Sequence, residues 1–161
     1  MVGKVAKVFM SILRNKLTSI AGIVTILMGM FGCTPDMSDD PVPYQPFPNI
    51  QLNLNLPQYI SLKSVGATLT LDGGVRGIIV YCLNTGVYRA YERNCTFHPN
   101  DACATVNIDP SKLFMVDSCC GSNFEFSEGN PNGGVAWRPL VQYSAIYDGA
   151  ILTITDEVIN N

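Results

Sequence analysis

The sequence predicts an all-β domain over residues 50–161, built as a two-sheet sandwich or small barrel. Three observations predict it. Ile50 to Leu56 reads IQLNLNL, which sets Ile50, Leu52, Leu54 and Leu56 on one face and Gln51, Asn53 and Asn55 on the other, the alternation of a half-buried strand. No stretch beyond residue 50 repeats apolar residues with a period of about 3.6 over ten or more positions, so no amphipathic helix is expected. Short apolar runs instead follow one another closely, separated by Gly, Asn and Asp.

Taken in order, the further strand candidates are Tyr59 to Lys63, Ala67 to Leu71, Gly77 to Leu83 (GIIVYCL) and Val87 to Arg93. After these come Cys103 to Asn107, Leu113 to Val116, Ser122 to Phe126, Trp137 to Tyr143 and Ile151 to Thr155. Asn84-Thr85-Gly86 joins two of them as a hairpin turn. Asp72-Gly73-Gly74, Ser127 to Gly134 and Asp148-Gly149 read as the other turns.

The segment ahead of the domain has a different character. Lys4, Lys7, Arg14 and Lys16 precede an uncharged run, IAGIVTILMGMFG from Ile20 to Gly32, and Cys33 follows at once. A transmembrane helix wants about 20 apolar residues and a signal-peptide core about 7 to 15, so residues 1–32 read as a signal peptide, with a tilted signal anchor as the alternative. The ending Met-Phe-Gly-Cys resembles a bacterial lipobox, which implies that Cys33 becomes the lipidated N-terminus. Attachment would then come from acyl chains, each buried methylene contributing roughly 0.8 kcal/mol. Asp36, Asp39 and Asp40 follow closely, an acidic cluster that resembles the surface-export signal of Bacteroidota lipoproteins and serves equally as a solvated spacer. Residues 33–49 carry Pro35, Pro41, Pro43, Pro46 and Pro48 and are expected to be an extended tether.

Charge and composition exclude several functions. The whole chain has 10 basic and 13 acidic residues; the leader takes four basic residues and no acidic one, leaving six against thirteen, a net charge of −7. A chain this acidic is not expected to bind nucleic acid, or anionic lipid by charge. A single His rules out any site needing two imidazoles from one subunit. No phosphate loop, nucleophile elbow or Ser/His/Asp order is present, and Asp117, Glu125 and Glu128 read as solvated loop acids before they read as a paired-acid site.

Five cysteines remain after Cys33: Cys82, Cys95, Cys103, Cys119 and Cys120. Export favours paired thiols, and an odd number leaves at least one out; spacing alone does not choose the pairs. Thiol–disulfide exchange through Cys119-Cys120 is open on chemistry, provided one is an exposed low-pKa thiolate.

Several pieces in order resemble a Rieske domain over about Gly77 to Thr155. They are Asn94-Cys95-Thr96-Phe97-His98 after a hairpin, Cys119-Cys120-Gly121-Ser122-Asn123-Phe124-Glu125-Phe126, a Gly-rich turn, and Arg138-Pro139-Leu140 before a last strand. The resemblance implies a Rieske-like pair of sheets with a loop-rich subdomain, where two loops would supply Cys-x-His and Cys-x-x-His to a [2Fe-2S] centre. Aligned on Gly121-Ser122, the four ligand positions fall on Cys95, Phe97, Asp117 and Cys120, so one ligand of the family's set is kept. A Phe ring has no lone pair to offer iron, and no such cluster is expected. The family's inter-loop disulfide implies a Cys103–Cys119 pair, with Cys95 and Cys120 then facing each other as a second candidate pair and Cys82 left as a buried thiol. The alternative is a metal set of Cys95, His98, Cys119 and Cys120 for zinc or an altered [2Fe-2S] cluster. Without it, His98 is a loop residue before Pro99, Ser122 bonds loop backbone, and Trp137 is a core or inter-sheet aromatic.

These readings lead to a non-enzymatic outer-membrane lipoprotein, facing the periplasm or the cell surface with the surface favoured. Its cluster-less Rieske-like domain is expected to bind other cell-envelope proteins as an accessory subunit, without a cofactor. The alternative is an electron-transfer or metal-binding protein.

Overall fold

The computed structural model describes residues 40–159. The signal peptide, Cys33 and the first part of the tether lie outside the described residues. Among the described residues no helix is long and apolar enough to cross a membrane.

The domain is all-β, as expected, and has two antiparallel sheets. In chain order the strands are β1 (Ile50–Asn53), β2 (Thr68–Leu71), β3 (Ile78–Asn84), β4 (Val87–Glu92), β5 (Val106–Ile108), β6 (Met115–Asp117), β7 (Ser122–Phe124), β8 (Pro131–Gly133), β9 (Gln142–Tyr147) and β10 (Ile151–Val158). The larger sheet runs β1-β10-β9-β4-β3-β2 and the smaller one β5-β6-β7-β8. The small sheet is thus an insertion between β4 and β9, which pair directly through Ala90↔Tyr143 and Tyr91↔Gln142.

β3 explains why there are two cores. Its side chains alternate between Ile78, Val80 and Cys82 on one face and Ile79 and Tyr81 on the other, and both faces are covered. The first set packs with Leu52, Leu54, Leu62, Tyr88, Tyr143, Leu152 and Ile154 inside the large sheet. The second packs with Tyr91, Cys95, Val106, Met115, Phe124, Phe126 and Leu140 between the sheets. The edges of the large sheet approach each other: a Cβ placed on Gly73, just past β2, would lie 3.5 Å from Ile50 Cδ1 on β1. The sheet therefore curls around its core.

Three of the differences from the expected elements have a local cause. Tyr59 to Lys63 contains a single 3-10 turn, Ile60–Lys63, rather than a strand. Its donors are used locally, Leu62 N–H donating to Tyr59 O at 2.9 Å, and only Leu62 is buried, so there is nothing for a sheet partner to satisfy. The strand expected at Trp137 to Tyr143 starts five residues later, at Gln142, because Pro139 has no N–H for a ladder and Leu140 N–H donates to Gly129 O. The expected turn at Ser127 to Gly134 contains the three-residue edge strand β8, paired through Phe124↔Pro131, and edges are where a Pro is tolerated.

The end of the tether is docked onto the domain. Asn100 Nδ2 donates to Asp40 Oδ2 at 2.8 Å, Arg138 donates to Asp40 O at 2.7 Å, and Tyr44 OH donates to Asp156 Oδ2 at 2.6 Å. The Phe47 ring meets Tyr143 edge-on at 5.0 Å.

Candidate functional site

Two loops meet at one end of the small sheet. The first joins β4 to β5 and carries Cys95, Phe97, His98 and Cys103; the second is the β6–β7 hairpin and carries Asp117, Cys119, Cys120 and Ser122.

The first loop is held by groups outside it. Glu92, at the end of β4 and fully buried, accepts from Val75 N–H (2.8 Å), Arg76 N–H (3.0 Å), Asn94 N–H (2.9 Å) and Tyr143 OH (2.8 Å). Four donors satisfy a charge that burial would otherwise make costly. The Arg76 guanidinium reaches across to Asn94 Oδ1, Ala102 O (2.9 Å) and Asp101 O (2.5 Å), fixing both arms of the loop. Thr96 and Arg138 pin each other: Thr96 Oγ1 donates to Arg138 O at 2.8 Å and Arg138 donates to Thr96 O at 2.7 Å.

The hairpin is a tight turn made by its own residues. Asp117 Oδ1 accepts from Cys119 N–H at 2.8 Å, Gly121 N–H donates to Asp117 O at 2.8 Å, and Gly121 takes a φ of 72°. Behind it, Ser122 Oγ accepts the N–H groups of Val135 (3.1 Å) and Ala136 (2.9 Å), tying in the segment after β8. Ser122 bonds loop backbone as expected, and also lies 3.2 Å from Cys120 Sγ.

Cys103 and Cys119 form a disulfide across the two loops. Closing a loop with a sequence separation of 16 contributes about 3 kcal/mol in the chain-entropy account. Cys95 and Cys120 face each other as expected, but as free thiols with sulfurs 3.8 Å apart, not as a second disulfide. Cys120 Sγ also lies 3.3 Å from Asp117 Oδ2. The two sulfurs and a carboxylate oxygen of Asp117 all lie within 4.8 Å of one another. Cys95 and Asp117 are fully buried and Cys120 is half-buried. Burial chiefly, with the Asp117 carboxylate and Cys120 adding, pushes the Cys95 thiol well above its ordinary range.

Three of the four positions carried over from the resemblance, Cys95, Asp117 and Cys120, thus converge. Phe97 is only partly buried, packs against the second core and meets the His98 ring edge-on at 4.2 Å. The alternative ligand set of Cys95, His98, Cys119 and Cys120 is not assembled, because Cys119 is bonded to Cys103 and His98 is exposed. Exchange through Cys119-Cys120 loses one thiol to the same bond. A [2Fe-2S] centre held by two thiolates and two imidazoles does not fit these residues: they offer two sulfurs, one carboxylate and a ring with no lone pair.

The remaining candidates are accounted for singly. Cys82 is a buried free thiol in β3. Trp137 is exposed, not core, with the Arg138 guanidinium over its ring at 5.3 Å. Glu125 accepts from Ser127 Oγ and Asn130 Nδ2, which hold its carboxyl below the usual range. Glu128 pairs with Arg89 at 3.1 Å. Neither faces Asp117 as a second acid. Arg76 and Glu92 were not singled out by the sequence, and Arg138 entered only as part of the Arg138-Pro139-Leu140 piece of the resemblance, with no bonding role.

No family model matches the chain. No curated protein matches it. Among solved structures it is similar to a chain described as part of a complex of reduced oxygenase and oxidized ferredoxin in carbazole 1,9a-dioxygenase. That likeness has 13% identity and a TM-score of 0.47, over 70% of this chain and 98% of the other, too slight to carry a function across.

Proposed function

We infer that the protein is a non-enzymatic outer-membrane lipoprotein whose Rieske-like domain, without a [2Fe-2S] cluster, binds other envelope proteins as an accessory subunit. One observation carries the reading. The two loops are closed on each other by a disulfide and the Arg76 and Arg138 clamps, while the resemblance assigns two of its four ligand positions to Phe97 and Asp117. A scaffold kept rigid without its redox ligands is suited to presenting a surface. The lipid on Cys33 would hold it at the membrane, exposed to the periplasm or the cell surface.

The test is extraction of the full chain from membranes in mild detergent. It is expected to travel with partner proteins, to be colourless, and to leave the membrane fraction or fail to mature when changed Cys33→Ser. Visible iron–sulfur charge-transfer absorption, or a chain that runs alone at native abundance, overturns the reading.

A further inference from the structure

Asp117 is fully buried, and its described side-chain partners are the Cys119 N–H and the thiols of Cys120 and Cys95, none of them a cation. A buried carboxylate is ordinarily paired with a cation or coordinates a metal. Its two oxygens are divided: Oδ1 is held by Cys119 N–H, which leaves Oδ2 turned to the sulfur of Cys120. Ser122 Oγ, held by two backbone N–H groups, lies 3.2 Å from Cys120 Sγ on its other side. Cys119 N–H and Ser122 Oγ thus fix the positions of the carboxylate and of the Cys120 sulfur, as the outer shell of a metal site does.

We propose that Cys95, Asp117 and Cys120 form a binding site for a single Zn2+ ion, held by two thiolates and one carboxylate oxygen. Three protein donors leave the fourth tetrahedral position to water or to a donor from outside the chain. Cys120 is half-buried on the hairpin, so the site opens to solvent there. Two sulfurs alone would also suit a linear cuprous ion, but that geometry gives the buried Asp117 no role. Zinc binding would release the thiol protons of Cys95 and Cys120. The site differs from the set of Cys95, His98, Cys119 and Cys120 in using Asp117 and leaving His98 and the disulfide alone. It is independent of the protein-binding reading.

The test uses the full chain in mild detergent, isolated without reductant, stripped with a chelator and titrated with Zn2+ or Co2+ alone. One ion per chain is expected, with thiolate-to-cobalt charge-transfer bands and protection of Cys95 and Cys120 from alkylation. Asp117→Asn should weaken zinc by about tenfold or more, and Cys120→Ser, a change at a half-exposed position, should abolish the cobalt bands. His98→Ala should leave both unchanged. A Cys95–Cys120 disulfide in the peptide map of the isolated chain overturns the proposal. So do cobalt bands that survive Cys120→Ser, zinc affinity unaltered by Asp117→Asn, or zinc lost in His98→Ala. None of these results bears on co-purification with partners, so the two readings fail separately.

Discussion

At the scale of single residues, Glu92 organises more of this molecule than any cysteine does. Its carboxylate gathers donors from the β2–β3 turn, the start of the first loop and Tyr143 of β9. Replacing it with Leu leaves three backbone N–H groups and a phenol without their acceptor. Glu92→Leu is expected to lower stability by about 3 kcal/mol or more, read by urea unfolding. The sequence offers little to foretell this, since Tyr91-Glu92-Arg93 reads as an ordinary strand end and, apart from Asn94 two residues on, the donors lie 16, 17 and 51 residues away. Asp117 was legible as a position, through the alignment on Gly121-Ser122, but not as a donor: matching it to a lost Cys hid that a carboxylate is itself a metal ligand. Cys103–Cys119 was legible only through the resemblance, because spacing cannot rank pairings.

At the scale of elements, the β6–β7 hairpin depends on a close approach by the chain after β8. A Cβ added at Gly134 would lie 2.4 Å from Ser122 Cα and 2.6 Å from Gly121 O, both backbone atoms, and Gly134 has a φ of 86°. Gly149, in the β9–β10 turn, has a φ of 102° but open space around it. Gly134→Ala is therefore expected to cost several kcal/mol and to loosen the hairpin, whereas Gly149→Ala should cost only the backbone strain, about 1 kcal/mol. Thermal unfolding of the two variants separates the cases, and equal losses would refute the steric account. The strands with alternation or continuous apolar runs, β1, β3, β4 and β10, were legible because both periodicity and turn residues mark them. The short strands of the small sheet were less so. Three residues carry no period, and their boundaries are set by disulfide, Ser122 and Gly134 contacts that no local window contains.

At the scale of the whole molecule, burial of aromatic hydroxyls sets the response to alkali. Burial pushes the Tyr88 phenol up to about 12. Tyr91 is raised by burial, and Tyr143 by burial and then by its bond to the Glu92 carboxylate. A raised phenol favours the neutral form in the folded state. Its contribution is complete below the unfolded value near 10 and is lost as pH rises through the folded value. Stability should thus be flat toward pH 10 and fall steeply above it, with the phenolate absorbance of these residues appearing together with unfolding. Phenolate absorbance that develops fully near pH 10 in the folded protein would contradict this. The two-sheet architecture was legible from composition and alternation, while the insertion of the small sheet between β4 and β9 was not, because the Ala90↔Tyr143 pairing spans more than fifty residues of chain. Docking of the tether has a consequence for reach. Asp40 is fastened to Asn100 and Arg138, beside the loop that carries Cys95. Seven chain steps from Cys33 to Asp40 reach about 25 Å at most. If Cys33 carries lipid, the fastening at Asp40 limits the reach of the anchorage to that distance, well short of what residues 33–49 would span if all were extended.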